Sequence, residues 1–161
     1  MEKWFRRTKE HEIQPQLALV PFDGSPESIH GLRLACEIAK HESVELRIVY
    51  VIEVKRSQAL DVDLEDKKAQ GEEILAQAKE IARNLDVKIE DHDFELLQAR
   101  EASHAIIEDA FDSKAQNIII GTKVNNLDGV LGLGSVAMHI LSGAPCRVTL
   151  VRSPLVAAQN K

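Results

Sequence analysis

The sequence predicts an α/β domain, a parallel sheet with helices on both faces. Three observations carry that expectation. Five short apolar runs begin near Leu17, Val44, Val87, Asn117 and Cys146. Stretches with helical apolar spacing alternate with them, and the best of the junctions carries strong helix-start chemistry. Strands alternating with helices of this length favour parallel pairing with crossover helices.

Leu17-Ala-Leu-Val-Pro-Phe22 reads as a buried first strand that ends in Asp23-Gly24-Ser25. Pro21 lacks an N–H, so pairing must be ending there. Ser25 is a good N-cap, Pro26 suits the first helical position, and Glu27 suits the positive end of the helix dipole. Ile29, Leu32, Ala35, Cys36 and Ala39 then mark the buried face of a first helix. Val44 to Val51 is a second strand, rich in branched and aromatic residues. Ile74, Ala78, Ile81, Ala82 and Leu85 line a long second helix, which Gly71 is expected to weaken by about 1 kcal/mol.

Val87 to Leu97 reads as a third strand, and its acidic residues Glu90, Asp91, Asp93 and Glu95 suit a sheet edge. Ala102, Ala105, Ile106, Ala110 and Phe111 give a third helical face with no evident N-cap. Asn117 to Ile120 is a buried fourth strand. Val136, Ala137, Ile140 and Leu141 line a fourth helix, stopped by Gly143 and Pro145. Cys146 to Val151 is the fifth strand. The expected organisation is a tail over 1–16, one domain over 17–152, and a second tail over 153–161.

A net charge of −6 argues against general nucleic-acid binding, which needs a clustered basic surface. No apolar run approaches the ~20 residues that span a bilayer, and no signal peptide is evident, so a cytoplasmic protein without membrane contact is expected. Cys36 and Cys146 have no metal-knuckle spacing and read as small hydrophobes. Asp61, Asp63, Glu65 and Glu72 resemble a calcium loop, but Asp66 stands where its turn requires glycine.

The segment Gly121 to Ser135 joins the fourth strand to the fourth helix without evident strand or helix periodicity. Ordered segments of that kind are usually functional. Its glycines allow close backbone approach, and the following helix offers free N–H groups, so an anion such as phosphate is the expected guest. If the first and fourth strands are neighbours, Asp23-Gly24-Ser25 forms the opposite wall of one crevice. Asp23 then either accepts hydrogen bonds from a ribose or simply caps its own turn. Gly132-Leu-Gly-Ser-Val-Ala137 matches G-x-G-x-x-A, but it lies outside the first strand–helix unit where a dinucleotide fingerprint belongs. Neither a P-loop nor a nucleophile elbow occurs. His139 reads as a helix-surface residue, leaving no visible acid–base pair for catalysis.

Leu19-Val-Pro-Phe-Asp-Gly-Ser-Pro-Glu-Ser28 resembles the first strand and turn of universal stress proteins. Gly121-Thr-Lys123, Gly134-Ser-Val136 and Ala144-Pro-Cys-Arg-Val148 resemble that family's closing third. The resemblance implies strand order 3-2-1-4-5, an adenine-nucleotide alpha-hydrolase-like fold, and a homodimer joined through the fifth strands. It also implies ATP or AMP, with or without Mg2+, on a G-2x-G-9x-G-[S/T] loop. Gly121, Gly134 and Ser135 match that loop, whereas Val124 replaces its middle glycine. A branched side chain there disfavours positive φ and crowds a phosphate. By resemblance, Asp23 meets the ribose and the Val51 backbone the adenine. Gly121, Gly134, Ser135 and Val136 surround the phosphates, with Lys123 also on the nucleotide side. Ala99-Arg100 is a second departure, since the family often has glycine and an acid there. The expected function is a nucleotide-dependent stress-response regulator, acting as a dimer on an unidentified protein partner. The alternative is a dimeric interaction module of the same fold that has lost its nucleotide.

Overall fold

A computed structural model describes residues 15–127 and 130–152, with the backbone alone for 125–131. Five parallel strands form the main sheet: β1 (Gln16–Pro21), β2 (Val44–Glu53), β3 (Phe94–Ala99), β4 (Asn117–Thr122) and β7 (Arg147–Arg152). Their order is β3-β2-β1-β4-β7. Counted as strands of this sheet, that is the expected 3-2-1-4-5, because β5 (Val124–Leu127) and β6 (Val130–Leu133) pair only with each other. The helices are α1 (Pro26–His41), α2 (Glu65–Asn84), α3 (Ala102–Asp112) and α4 (Ser135–Gly143).

Strand alternation distributes the core between two faces. Ala18 and Val20 of β1, Leu46 and Ile48 of β2 and Ile119 of β4 pack with Leu32, Cys36, Leu75 and Ala78 from α1 and α2. Leu19, Val49, Ile118 and Ile120 point the other way, toward Ile106 and Ala110 of α3 and Ile140 of α4. The strand order reverses between β1 and β4, and this opens a crevice at their carboxyl ends.

Glycine decides how closely the first layer packs. A Cβ on Gly121 would lie 1.7 Å from the Glu27 carbonyl oxygen, and one on Gly31 would lie 2.7 Å from the Gly121 nitrogen. The first turns of α1 therefore rest directly on the end of β4. Gly71 is buried against Leu96 and Tyr50, with 2.5 Å between its would-be Cβ and a Leu96 methyl. What the sequence suggests as a weak point in α2 is a place of close helix–sheet contact.

Three expectations are corrected. The third strand begins at Phe94, not Val87, and Asp91–Asp93 forms a 3-10 turn closed by reciprocal bonds between Glu90 and Asp93. Val87 and Ile89 pack on the core without pairing, so their alternation reports burial rather than a ladder. Phe111 is 71% exposed. It lies a turn beyond half-buried Ile107, at the margin of the stripe centred on Ile106 and Ala110. The segment after Gly121 is not aperiodic: β5 and β6 form an antiparallel hairpin in which Val124 opposes Leu133 and Leu127 opposes Val130. Its sequence signal was Asp128-Gly129, a dipeptide that favours tight hairpins. Of the expected tails over 1–16 and 153–161, residues 1–14 and 153–161 lie outside the described residues, and Gln16 opens β1.

Candidate functional site: the crevice between β1 and β4

A cavity of about 320 Å³ occupies the switch point, within the ~300–1,000 Å³ range of small-molecule sites. Asp23, Val51, Gly121, Lys123, Gly134 and Val136 all line it, so six of the seven residues singled out from sequence converge on one space. Ser135 is the seventh. It is exposed at the first position of α4 and does not line the cavity. Its hydroxyl does not cap its own helix either.

The β1 wall is closed upon itself. Gly24 adopts φ +80°, the left-handed conformation that glycine reaches without steric cost. This turn brings Asp23 Oδ1 to accept the Ser25 N–H at 2.9 Å, while Ser25 Oγ accepts the Ser28 N–H at 3.2 Å. Ser28 Oγ in turn donates to the Ser25 carbonyl at 2.9 Å. Although Asp23 lies on an exposed rim, partial desolvation pushes its carboxyl pKa up. Hydrogen bonds from Ser25 and Ser28 outweigh that effect and leave it below the usual carboxylate value. Asp23 is thus held as an anion, a strong acceptor and a poor proton abstractor.

The β4 wall is left open. α4 has Gly134 as N-cap and no side-chain cap. Its first intrahelical bond runs from the Met138 N–H to the Gly134 carbonyl, so the N–H groups of Ser135, Val136 and Ala137 have no partner within the helix. A Cβ placed on Gly134 meets no atom within 4 Å among the described residues beyond its chain neighbours. Packing against the described residues does not require glycine there. The third helix facing the crevice differs again. Glu53 Oε1, at the end of β2, accepts the Ala102 N–H at 2.9 Å. That bond supplies the N-terminal partner the sequence did not reveal, and it places a carboxylate where an anion would otherwise bind.

Val124 has no positive φ; Gly24, Asp86 and Lys114 are the residues with positive φ among those described. Val124 lies extended in β5 and is not a cavity residue. The conformational objection to a branched residue at this position therefore does not apply. Sequence reasoning missed the apolar floor, Val49, Ala102, Ile106 and Ile120, together with Tyr50, Glu27 and buried Thr122. Helical and strand periodicity marked several of these as core, but not that their ends border an open space. His139 is exposed on α4 and is not among the lining residues. Among the described residues no cluster of three His, Cys, Asp or Glu side chains could hold a metal ion by itself. No described helix is long and apolar enough to cross a membrane.

A five-stranded parallel sheet, wound on both faces and open at its switch point, defines a doubly wound α/β domain. The chain belongs to the universal stress protein family, whose model matches residues 16–152. It is 33% identical over 143 residues to a universal stress protein of Methanocaldococcus jannaschii, covering 84% of this chain and 81% of that one. Its fold is similar to the universal stress protein of Archaeoglobus fulgidus solved in complex with dAMP, with a TM-score of 0.64 and 21% identity, covering 86% of this chain and 98% of that one. It is also similar to a universal stress protein family protein of Arabidopsis thaliana with AMP bound, with a TM-score of 0.64 and 14% identity over 90% and 97% of the two chains.

Proposed function

We propose that the crevice binds an adenine nucleotide, AMP or ATP, and that the protein acts as a nucleotide-dependent regulator rather than a fast enzyme. The observation that carries this is the uncapped N-terminus of α4 facing the cavity beside Gly134, whose missing side chain leaves room for a phosphate. In this reading Val49, Val51, Ala102 and Ile106 accommodate the base, with the Val51 backbone at its edge. Asp23 accepts from the ribose hydroxyls. Lys123 and the Val136 and Ala137 amides hold phosphate, while Ser135 is placed to contribute its N–H rather than its hydroxyl. Relatives solved with dAMP and AMP support a nucleotide as the guest. Mg2+, if present, enters with the phosphates, since they supply the ligands that Asp23 and Glu27 alone do not.

Acid extraction of the purified protein, followed by nucleotide chromatography and calorimetric titration with AMP and Mg-ATP, tests the reading. Bound or titratable nucleotide is the expected result; an empty protein with no binding heat at millimolar nucleotide refutes it. Val124→Gly separates it from the interaction-module alternative. We expect that substitution to change affinity by less than about three-fold, since Val124 neither lines the cavity nor needs positive φ.

The proposed assembly is a homodimer through β7. This strand is an edge of the main sheet, with Val148, Thr149, Leu150 and Val151 half-buried along it. Pairing with a second copy would satisfy its free backbone groups. Light scattering on a size-exclusion column should give twice the monomer mass.

A further inference from the structure

The charge lining the cavity bears on which nucleotide enters, an inference that rests on the nucleotide reading above. Among the described residues, three with formally charged side chains line it: Asp23, Glu27 and Lys123. The stretch from Gly121 to Ser135 contains Lys123 as its one cation, with Asp128 as its one acid. Arg152 is the register partner of Thr122 at the same end of the sheet, but it does not line the cavity. Glu27 is half-buried, and its backbone oxygen sits against Gly121, where the phosphate-side segment begins.

One ammonium and one helix N-terminus, worth roughly half a charge, suffice for a monophosphate. They do not balance the two further negative charges of free ATP, which would enter a space already holding two carboxylates. We propose that the crevice sorts nucleotides by net charge: it takes nucleoside monophosphates in preference to free triphosphates, and admits a triphosphate only when a divalent cation accompanies it. Glu27 is the residue that sets the preference. Asp23 belongs to the ribose side and is occupied by Ser25, whereas Glu27 forms none of the side-chain hydrogen bonds or ion pairs recorded among the described residues. A cation between Glu27 and the phosphates would turn the repulsion into ligation.

Calorimetric titration of the full chain with AMP, ATP in EDTA, and Mg-ATP tests this. AMP should bind at least ~ten-fold more tightly than ATP in EDTA, a gap that narrows with added salt and with Mg2+. In Glu27→Gln the ratio of the two dissociation constants should fall to below about three, while in Lys123→Met it should rise. Thermal unfolding shows that each variant is folded. Equal affinity for AMP and free ATP in the unmodified protein overturns the proposal. So does a ratio unmoved by Glu27→Gln, or a gap that neither Mg2+ nor salt narrows, which would indicate steric exclusion. Absence of binding by every nucleotide overturns the parent reading as well, and is distinguished by the missing AMP signal.

Discussion

The two walls of the crevice look alike in sequence, each a strand end followed by a glycine-bearing turn and a helix, yet they solve different problems. On the β1 wall the side chains of the turn bond to the turn itself: Asp23 accepts from Ser25, Ser25 caps Ser28, and Ser28 returns a bond to Ser25. On the β4 wall, α4 has no side-chain cap and its first amides have no partner among the described residues. The glycines divide in the same way. Gly121 is required because α1 lies against it, whereas a Cβ on Gly134 meets none of the other described residues within 4 Å. Preorganisation of one wall and vacancy of the other are what a binding crevice needs.

The largest effect should come from Gly121→Ala, which forces a methyl group against the Glu27 backbone. A backbone oxygen cannot rotate aside as a side chain can. We expect a loss of ~3 kcal/mol or more in urea unfolding, or failure to fold. A stability loss below about 1 kcal/mol would show that α1 shifts easily and would dissolve the contrast between the glycines. Gly134→Ala should do the reverse. Its φ of −58° and ψ of 150° suit alanine, so stability should change by less than about 1 kcal/mol. Nucleotide affinity should fall about ten-fold or more, as a methyl group enters the phosphate space.

The smallest effect concerns acid stability. The folded-state pKa of Asp23 is depressed, so its contribution is present above the unfolded value, near 3.8, and is lost as pH falls through the lower folded value. Solvent at the rim screens it, so the contribution is small. Asp23→Asn should flatten the stability profile in that acid window and leave its slope near neutrality unchanged. A change of slope near pH 7 would mean that another group is coupled to this turn.

Much of the fold was legible from sequence because burial imposes periodicity. Leu19 and Val20 must face opposite sides of the sheet, and Leu32 with Cys36 must share a helix face. Periodicity failed where burial and pairing part company. Val87 and Ile89 are packed without being strand, and Phe111 follows a buried alanine while remaining in solvent. It also failed at the hairpin, where the alternation was short and the two strands join no larger sheet. Within the candidate site, Asp23, Gly121 and Gly134 were found from turn chemistry and spacing. Glu27 and Tyr50 were not, because nothing local distinguishes a helix-start acid or a strand aromatic that borders a cavity from one that borders water.

The sequence by itself determined the alternation of elements and the capped turn at Ser25-Pro26, since each depends on residues close together along the chain, while the crevice needed β1 and β4 to be neighbours in the sheet. Only the tertiary structure decided what each feature is for. It made Gly71 and Gly121 points of close contact, left Gly134 open, and brought Glu53 from β2 to cap α3. Those roles depend on which backbone lies across a gap of a few ångströms, and that is set by how distant elements pack.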